Sequence, residues 1–96
     1  MERYFEWDDK KAQSNFRKHG IRFEEAAWVF DDPLAISTHD RVEDGECRWR
    51  TIGTAGGCVL LVVAHTVRDH EDGTEVVRII SARRAGLKER RRYEHG

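Results

Sequence analysis

The sequence predicts an α+β domain: two N-terminal helices, an antiparallel sheet of about four strands, and a short C-terminal helix. Three observations lead there. Apolar residues recur at three- and four-residue spacing between Ala12 and Phe30. Past Leu34 the pattern changes to β-branched runs separated by breaks rich in Gly and Asp. A basic, helix-favouring stretch then closes the chain after Arg83. At 96 residues, one domain spanning 1–96 with one modest core accounts for the whole length.

Tyr4, Phe5 and Trp7 form a short apolar start. Asp8 is placed to cap a helix, with Asp9 in its first turn. That helix, Lys10 to His19, carries Ala12, Phe16 and His19 on one stripe with Asn15. Gly20 ends it, and Lys18 and His19 suit the negative end of the helix dipole. Phe23, Ala26, Ala27 and Phe30 make one face of a second helix. Pro33 stops it and forces Asp32 out of the helical region. Leu34 to His39 reads as a short strand and Arg41 to Gly45 as an acidic loop. Cys47 to Thr54 alternates, with Arg48, Arg50 and Ile52 opposite Cys47, Trp49 and Thr51. Gly53 to Gly57 reads as a hairpin turn, Cys58 to Arg68 as the central strand, and Asp69 to Thr74 as a polar hairpin loop. Glu75 to Arg83 is the last strand and Leu87 to Tyr93 the final helix.

Charged residues make up 36% of the chain and the net charge is only −1, a balance that by itself argues against a nucleic-acid partner. The distribution of the charges points the other way. Residues 1–46 carry 7 Lys/Arg against 12 Asp/Glu, and residues 47–96 carry 10 against 6. A chain so divided can present a basic face to RNA, or an acidic one to a basic partner. Cys47 and Cys58 have no metal-ligand spacing and read as reduced, half-buried strand thiols. The five histidines form no zinc box. The longest apolar run, Val59 to Ala64, is strand-length, so no membrane span is expected and the chain reads as cytoplasmic.

The last strand supplies the chemistry. Arg78 and Arg83 interrupt a Val/Ile run, and a buried arginine needs a carboxylate or phosphate partner. A regular strand puts Arg78, Ile80 and Ala82 on one face, and the hairpin loop brings Arg68 towards Arg78. Two neighbouring arginines invite an anion between them, for which a phosphodiester fits the guanidinium fork. The competing reading pairs each with a carboxylate of the first half, such as Glu24 or Glu25. His65, near the end of the central strand, is the histidine placed to carry a proton or touch RNA. Lys18 reads either as a solvated helix-end cation or as a group at the mouth of the site. Tyr93 reads either as packing or as a hydroxyl within reach of substrate. Arg84, Arg90, Arg91 and Arg92 read as an electrostatic apron.

Phe5 to Ala26 (F-E-W-D-x-x-K-A-x-x-N-x-x-K-H-G-I-x-F-E-E-A) resembles the opening of the BrnT family of type II toxins. V-F-D-D-P-L-A at Val29, G-E-x-R-x-x-x-I-G at Gly45, L-L-V-V at Leu60, R-I-I-S-A-R-x-A at Arg78 and E-R-x-x-Y at Glu89 continue the likeness in order. The resemblance implies a RelE-like ribonuclease fold that cuts RNA and blocks translation, and the residue types present fit a mechanism without metal or other cofactor. It also implies a BrnA-like ribbon-helix-helix antitoxin, with a heterotetramer formed through antitoxin dimerisation. Carried over by position, the active-site candidates are Lys18, Glu24 or Glu25, Arg68, Arg78, Arg83 and Tyr93. The reaction expected is attack of the RNA 2′-hydroxyl on its own phosphate, with arginines stabilising the added charge. The alternative is a binding module, or a decayed toxin, whose basic end only docks RNA or protein.

Overall fold

The computed structural model describes residues 2–96. The elements are β1 (Arg3–Glu6), α1 (Asp9–His19), α2 (Phe23–Ala27), a 3-10 turn (Trp28–Asp31), β2 (Ile36–Glu43), β3 (Glu46–Ala55), β4 (Val59–Asp69), β5 (Glu75–Arg84) and α3 (Leu87–His95). They build one five-stranded sheet in the order β1-β5-β4-β3-β2. The α+β class stands, with two corrections to the sheet. The apolar start is a fifth strand, and it runs parallel to β5, so the sheet is mixed.

Local chemistry explains the helices. The Asp8 carboxylate accepts the backbone N–H groups of Lys10 and Lys11 at 2.8 and 3.1 Å, capping α1. Gly20 ends it at φ +72°, its N–H donating to the Phe16 carbonyl at 2.8 Å. The second helix is shorter than its apolar face suggests. It tightens to a 3-10 turn at Trp28, which seats the fully buried Val29 against β3. Gly53 makes room for it: a Cβ there would lie 2.9 Å from Val29 Cγ1 and 3.1 Å from Ala35 Cβ. Gly53→Ala is therefore expected to lower unfolding free energy by about 1–3 kcal/mol, read by urea titration. An unchanged midpoint would mean the 3-10 turn can move aside.

β2 extends through Arg41 to Glu43, residues expected in a loop. The connection to β3 shrinks to Asp44–Gly45, both at positive φ (+52° and +78°), as a two-residue hairpin turn demands. Cys47 and Cys58, expected half-buried in strands, are both exposed, and Cys58 lies in the β3–β4 turn.

Helices α1 and α2 and the 3-10 turn cover one face of the sheet. There Phe23, Ala26 and Val29 pack on Leu61, Val63, Val77, Ile79 and Ala82. On the other face α3 covers only one end, where Tyr93 and Ala85 pack on Ile52, Leu60 and Val62. The rest of that face is open.

A single irregularity in β5 sets what the open face shows. Ala64 pairs with Ser81 but His65 pairs with Ile79, leaving Ile80 as a bulge. Before it, Val77 and Ile79 point to the helices; after it, Ala82 does. Arg78 and Ala82 therefore do not share a face, contrary to the regular-strand expectation. Arg78 and Arg83, which regular alternation would separate, stand on the same open face.

Asn15 holds this arrangement. β1 pairs only with Glu75 to Arg78, so β5 has a bare edge beyond. The buried Asn15 carboxamide fills it. It accepts the Ala82 N–H at 3.0 Å and donates to the Ala82 carbonyl at 2.9 Å and the Ile21 carbonyl at 3.1 Å.

Candidate functional site

The open face is an arginine field. β3 contributes Arg48 and Arg50, paired in register with Thr66 and Ala64 of β4. β4 contributes Arg68, and β5 contributes Arg78 and Arg83. Between these side chains the floor is small: Ala64 and Ser81 line a cleft of about 340 Å³ whose walls are Arg48, Arg50 and Arg83, with Asp40 at its rim. Every arginine in the field carries a carboxylate. Arg68 and Arg78 share Glu6, at 2.6 and 2.9 Å. Arg50 faces Asp40 at 3.4 Å, and Arg48 faces Glu43 at 3.5 Å. Arg83 donates to Glu89 at 3.0 Å and to the Arg84 carbonyl at 3.2 Å. Glu89 also accepts the Gly86 N–H at 2.7 Å, so it ties Arg83 to the start of α3. Arg83 first, then the Gly86 N–H, hold the Glu89 carboxyl below its usual range.

Lys18 lies on α1, which covers the other face of the sheet, and borders the β5 edge at the bulge. With Lys11 and His19 it lines a second, shallower cleft whose far wall is Ile80 and Ser81. The same two residues line the arginine cleft. The bulge thus borders both clefts. Arg84, Arg90 and Arg91 are exposed.

Three expected site residues fall elsewhere. Glu24 and Glu25 lie on α2, which packs on the opposite face of the sheet. Glu25 accepts the Arg22 N–H at 3.2 Å and completes the cap of its own helix, and Glu24 borders an apolar groove with Phe16. Neither meets the arginines; the carboxylates from the first half that do are Glu6, Asp40 and Glu43, and Glu6 is the one shared by Arg68 and Arg78.

His65 is the third. It is 3% exposed and faces the helices, not RNA. Its Nε2 lies 2.7 Å from Thr51 Oγ1, which lies 2.7 Å from Ser37 Oγ, and the Phe30 ring packs edge-on at 4.8 Å. Nδ1 has no partner. A neutral ring donating from Nε2 leaves only a bare acceptor there, the cheaper atom to orphan. Burial pushes its pKa down to about 4. Between pH 6.5 and 4 the unfolded chain binds a proton that the folded chain refuses. Stability is therefore full above pH 6.5 and falls as pH drops towards 4, by up to roughly 3 kcal/mol. Urea titrations across this window check it: His65→Gln should flatten the slope, and an unchanged slope would assign it to another group.

Tyr93 stands under α3, half-buried against Ile52, Leu60 and Val62. Its hydroxyl donates to Asp32 Oδ2 at 2.6 Å, which raises the phenol pKa. Asp32 Oδ2 also accepts the Thr54 N–H at 2.8 Å, replacing a strand neighbour that β2 begins too late to supply. Burial works to raise the Asp32 carboxyl. Bonds from the Thr54 N–H, the Tyr93 hydroxyl, the Leu34 N–H and the Thr54 hydroxyl outweigh it and hold the carboxyl down to about 2. This network ties α3 to the rest of the molecule and engages the Tyr93 hydroxyl.

The field also holds residues that the sequence reading does not single out. Arg48 and Arg50 carry a signal, since their alternation with Ile52 puts them on one face. Glu6 carries none, because its place depends on β1 pairing with a strand some 70 residues away. Among the described residues, no three His, Cys, Asp or Glu side chains gather as a metal site would need, and no helix is long and apolar enough to cross a membrane.

The fold and site define a small α+β domain with an open, arginine-lined sheet face. The family is more specific. Residues 7–89 match the family model described as "Ribonuclease toxin, BrnT, of type II toxin-antitoxin system", and the chain belongs to that family. Its fold is similar to the crystal structure of the Brucella abortus ribonuclease toxin BrnT, with a TM-score of 0.66, at 24% identity, over 91% of this chain and 100% of that one. No curated protein matches the sequence.

Proposed function

We propose that the arginine field is the site of a metal-independent endoribonuclease that cuts RNA through attack of the 2′-hydroxyl and so inhibits translation in the cytoplasm. The observation that carries this reading is the convergence of Arg48, Arg50, Arg68, Arg78 and Arg83 on one face, which the bulge at Ile80 completes by bringing Arg83 to the side of Arg78. RNA brings its own nucleophile. The protein's task is then to orient the phosphodiester and stabilise the charge that develops on it, which guanidinium forks do best in a partly dry cleft. Arg78 and Arg68 hold the scissile phosphate. Arg83, fixed by Glu89, faces the departing side, and Lys18 adds a cation from the α1 side of the bulge. Arg84, Arg90 and Arg91 supply salt-sensitive attraction. Tyr93 serves through the packing of α3.

The antitoxin in this reading is of the ribbon-helix-helix kind, and its dimerisation joins two toxins in a heterotetramer. One observation favours the binding-only alternative: Arg68, Arg78 and Arg83 already hold carboxylates. Purified protein incubated with RNA, with and without ribosomes and with excess chelator, decides between them. Chelator-resistant fragments ending in 2′,3′-cyclic phosphate support the nuclease. Binding without fragments in either condition overturns it.

A further inference from the structure

Glu6 sits where the anion is expected. Parallel pairing of β1 with β5 sets it beside Arg78 on the open face, and the Thr66–Arg78 pairing places Arg68 two residues along the neighbouring strand. Arg68 Nη2 and Arg78 Nη1 each donate one hydrogen bond to it, to separate carboxylate oxygens. A guanidinium has five N–H donors, so both forks keep donors to offer a phosphate while Glu6 stays in place. The bound carboxylate thereby holds the two forks at fixed positions and remains beside any phosphodiester they receive. Neighbouring carboxylates have other duties. Asp8 caps α1, Glu75 holds Arg3, and Glu89 holds Arg83 and Gly86. His65 lies behind the sheet.

We propose that Glu6 is the general base of RNA cleavage, taking the 2′-hydroxyl proton beside a phosphate held by Arg68 and Arg78. This rests on the arginine face being the cleaving site. The 2′-oxygen forms a bond to phosphorus as the bond from phosphorus to the 5′-oxygen breaks. The 2′ proton passes to Glu6. The 5′-oxygen takes a proton from water, and Glu6 returns its own to the hydroxide so formed. The products are a 2′,3′-cyclic phosphate and a 5′-hydroxyl, with nothing oxidised or reduced.

A base that is also an anion in an anion site has a distinctive signature. It speeds the chemistry and opposes binding. Glu6→Gln keeps an oxygen for the arginines but cannot accept the proton. Its cleavage of labelled RNA is expected to fall by at least ~100-fold in kcat. Its affinity for the same RNA carrying a 2′-deoxy nucleotide at the cut site is expected to tighten. Glu6→Asp, with the acid kept at shorter reach, should retain part of the rate. Thermal unfolding of each variant reports folding separately. Wild-type rates in Glu6→Gln overturn the proposal alone. So does a folded Glu6→Gln that loses binding and cleavage together, which would make Glu6 only a holder of arginines. A wild-type protein that leaves RNA uncut overturns the reading of the whole face.

Discussion

Arg78→Ala is expected to abolish growth arrest and to slow RNA cleavage by about 10²–10³-fold, the range seen when one preorganised charge donor to a transition state is removed. Three features single it out. It is less exposed than Arg68, with 37% of its side chain accessible against 54%. It stands centrally, with β1 on one side and β4 on the other. And it shares Glu6 with Arg68, so its loss also frees the carboxylate to close on Arg68 and neutralise it. Arg78→Lys keeps the charge but not the fork, and should fall between wild type and alanine. Arg91→Ala should behave differently, weakening RNA binding modestly and in a way that high salt erases. Cleavage assays at two salt concentrations separate the two behaviours. Full toxicity in Arg78→Ala would remove the phosphate from this part of the face.

Asn15→Leu is expected to lower the unfolding free energy by about 3 kcal/mol or more. The substitution conserves shape, so little packing is lost. What remains is the unpaired Ala82 N–H, with the Ala82 and Ile21 carbonyls also short of a donor, all around a side chain only 6% exposed. Leaving one buried polar group unsatisfied costs about 1–3 kcal/mol, and here the bonds are made to one small edge. Asn15→Asp should do no better, because a carboxylate can accept from Ala82 but only repels the two carbonyls. Chemical denaturation measures the loss. A change under about 1 kcal/mol would mean that water replaces the amide at the β5 edge.

The parts of the molecule that are legible in the sequence are those fixed by near neighbours along the chain. Asp8 and Gly20 bracket α1 because a cap needs only a side chain two residues away, or a residue at ease with positive φ. The Asp44–Gly45 turn is local in the same way, although its strands run closer to it than the acidic composition suggests. Long-range pairing decides what is not legible. β1 is four residues long and exists only because β5 offers it an edge. Glu6 depends on β1, so local pattern points to α2 for the carboxylate partner of Arg68 and Arg78, and pairing supplies a different one. His65 follows an apolar run and reads as its polar end. Continuous pairing with β3 carries the alternation through, and it lands in the core. The bulge has no local mark at all, since Ile80 is as good a strand residue as its neighbours.

That bulge makes β5 two half-strands, one residue out of phase. The first half is indexed by β1 and carries Arg78; the second is indexed by Asn15 gripping Ala82 and carries Arg83. A strand of one phase could offer the open face only one of the two, because they stand an odd number of positions, five, apart. The extra residue works as a vernier, letting the core keep Val77, Ile79 and Ala82 while the opposite surface gathers cations at a spacing that simple alternation forbids. The number of residues between Arg78 and Ala82, more than their identity, is then what the site depends on.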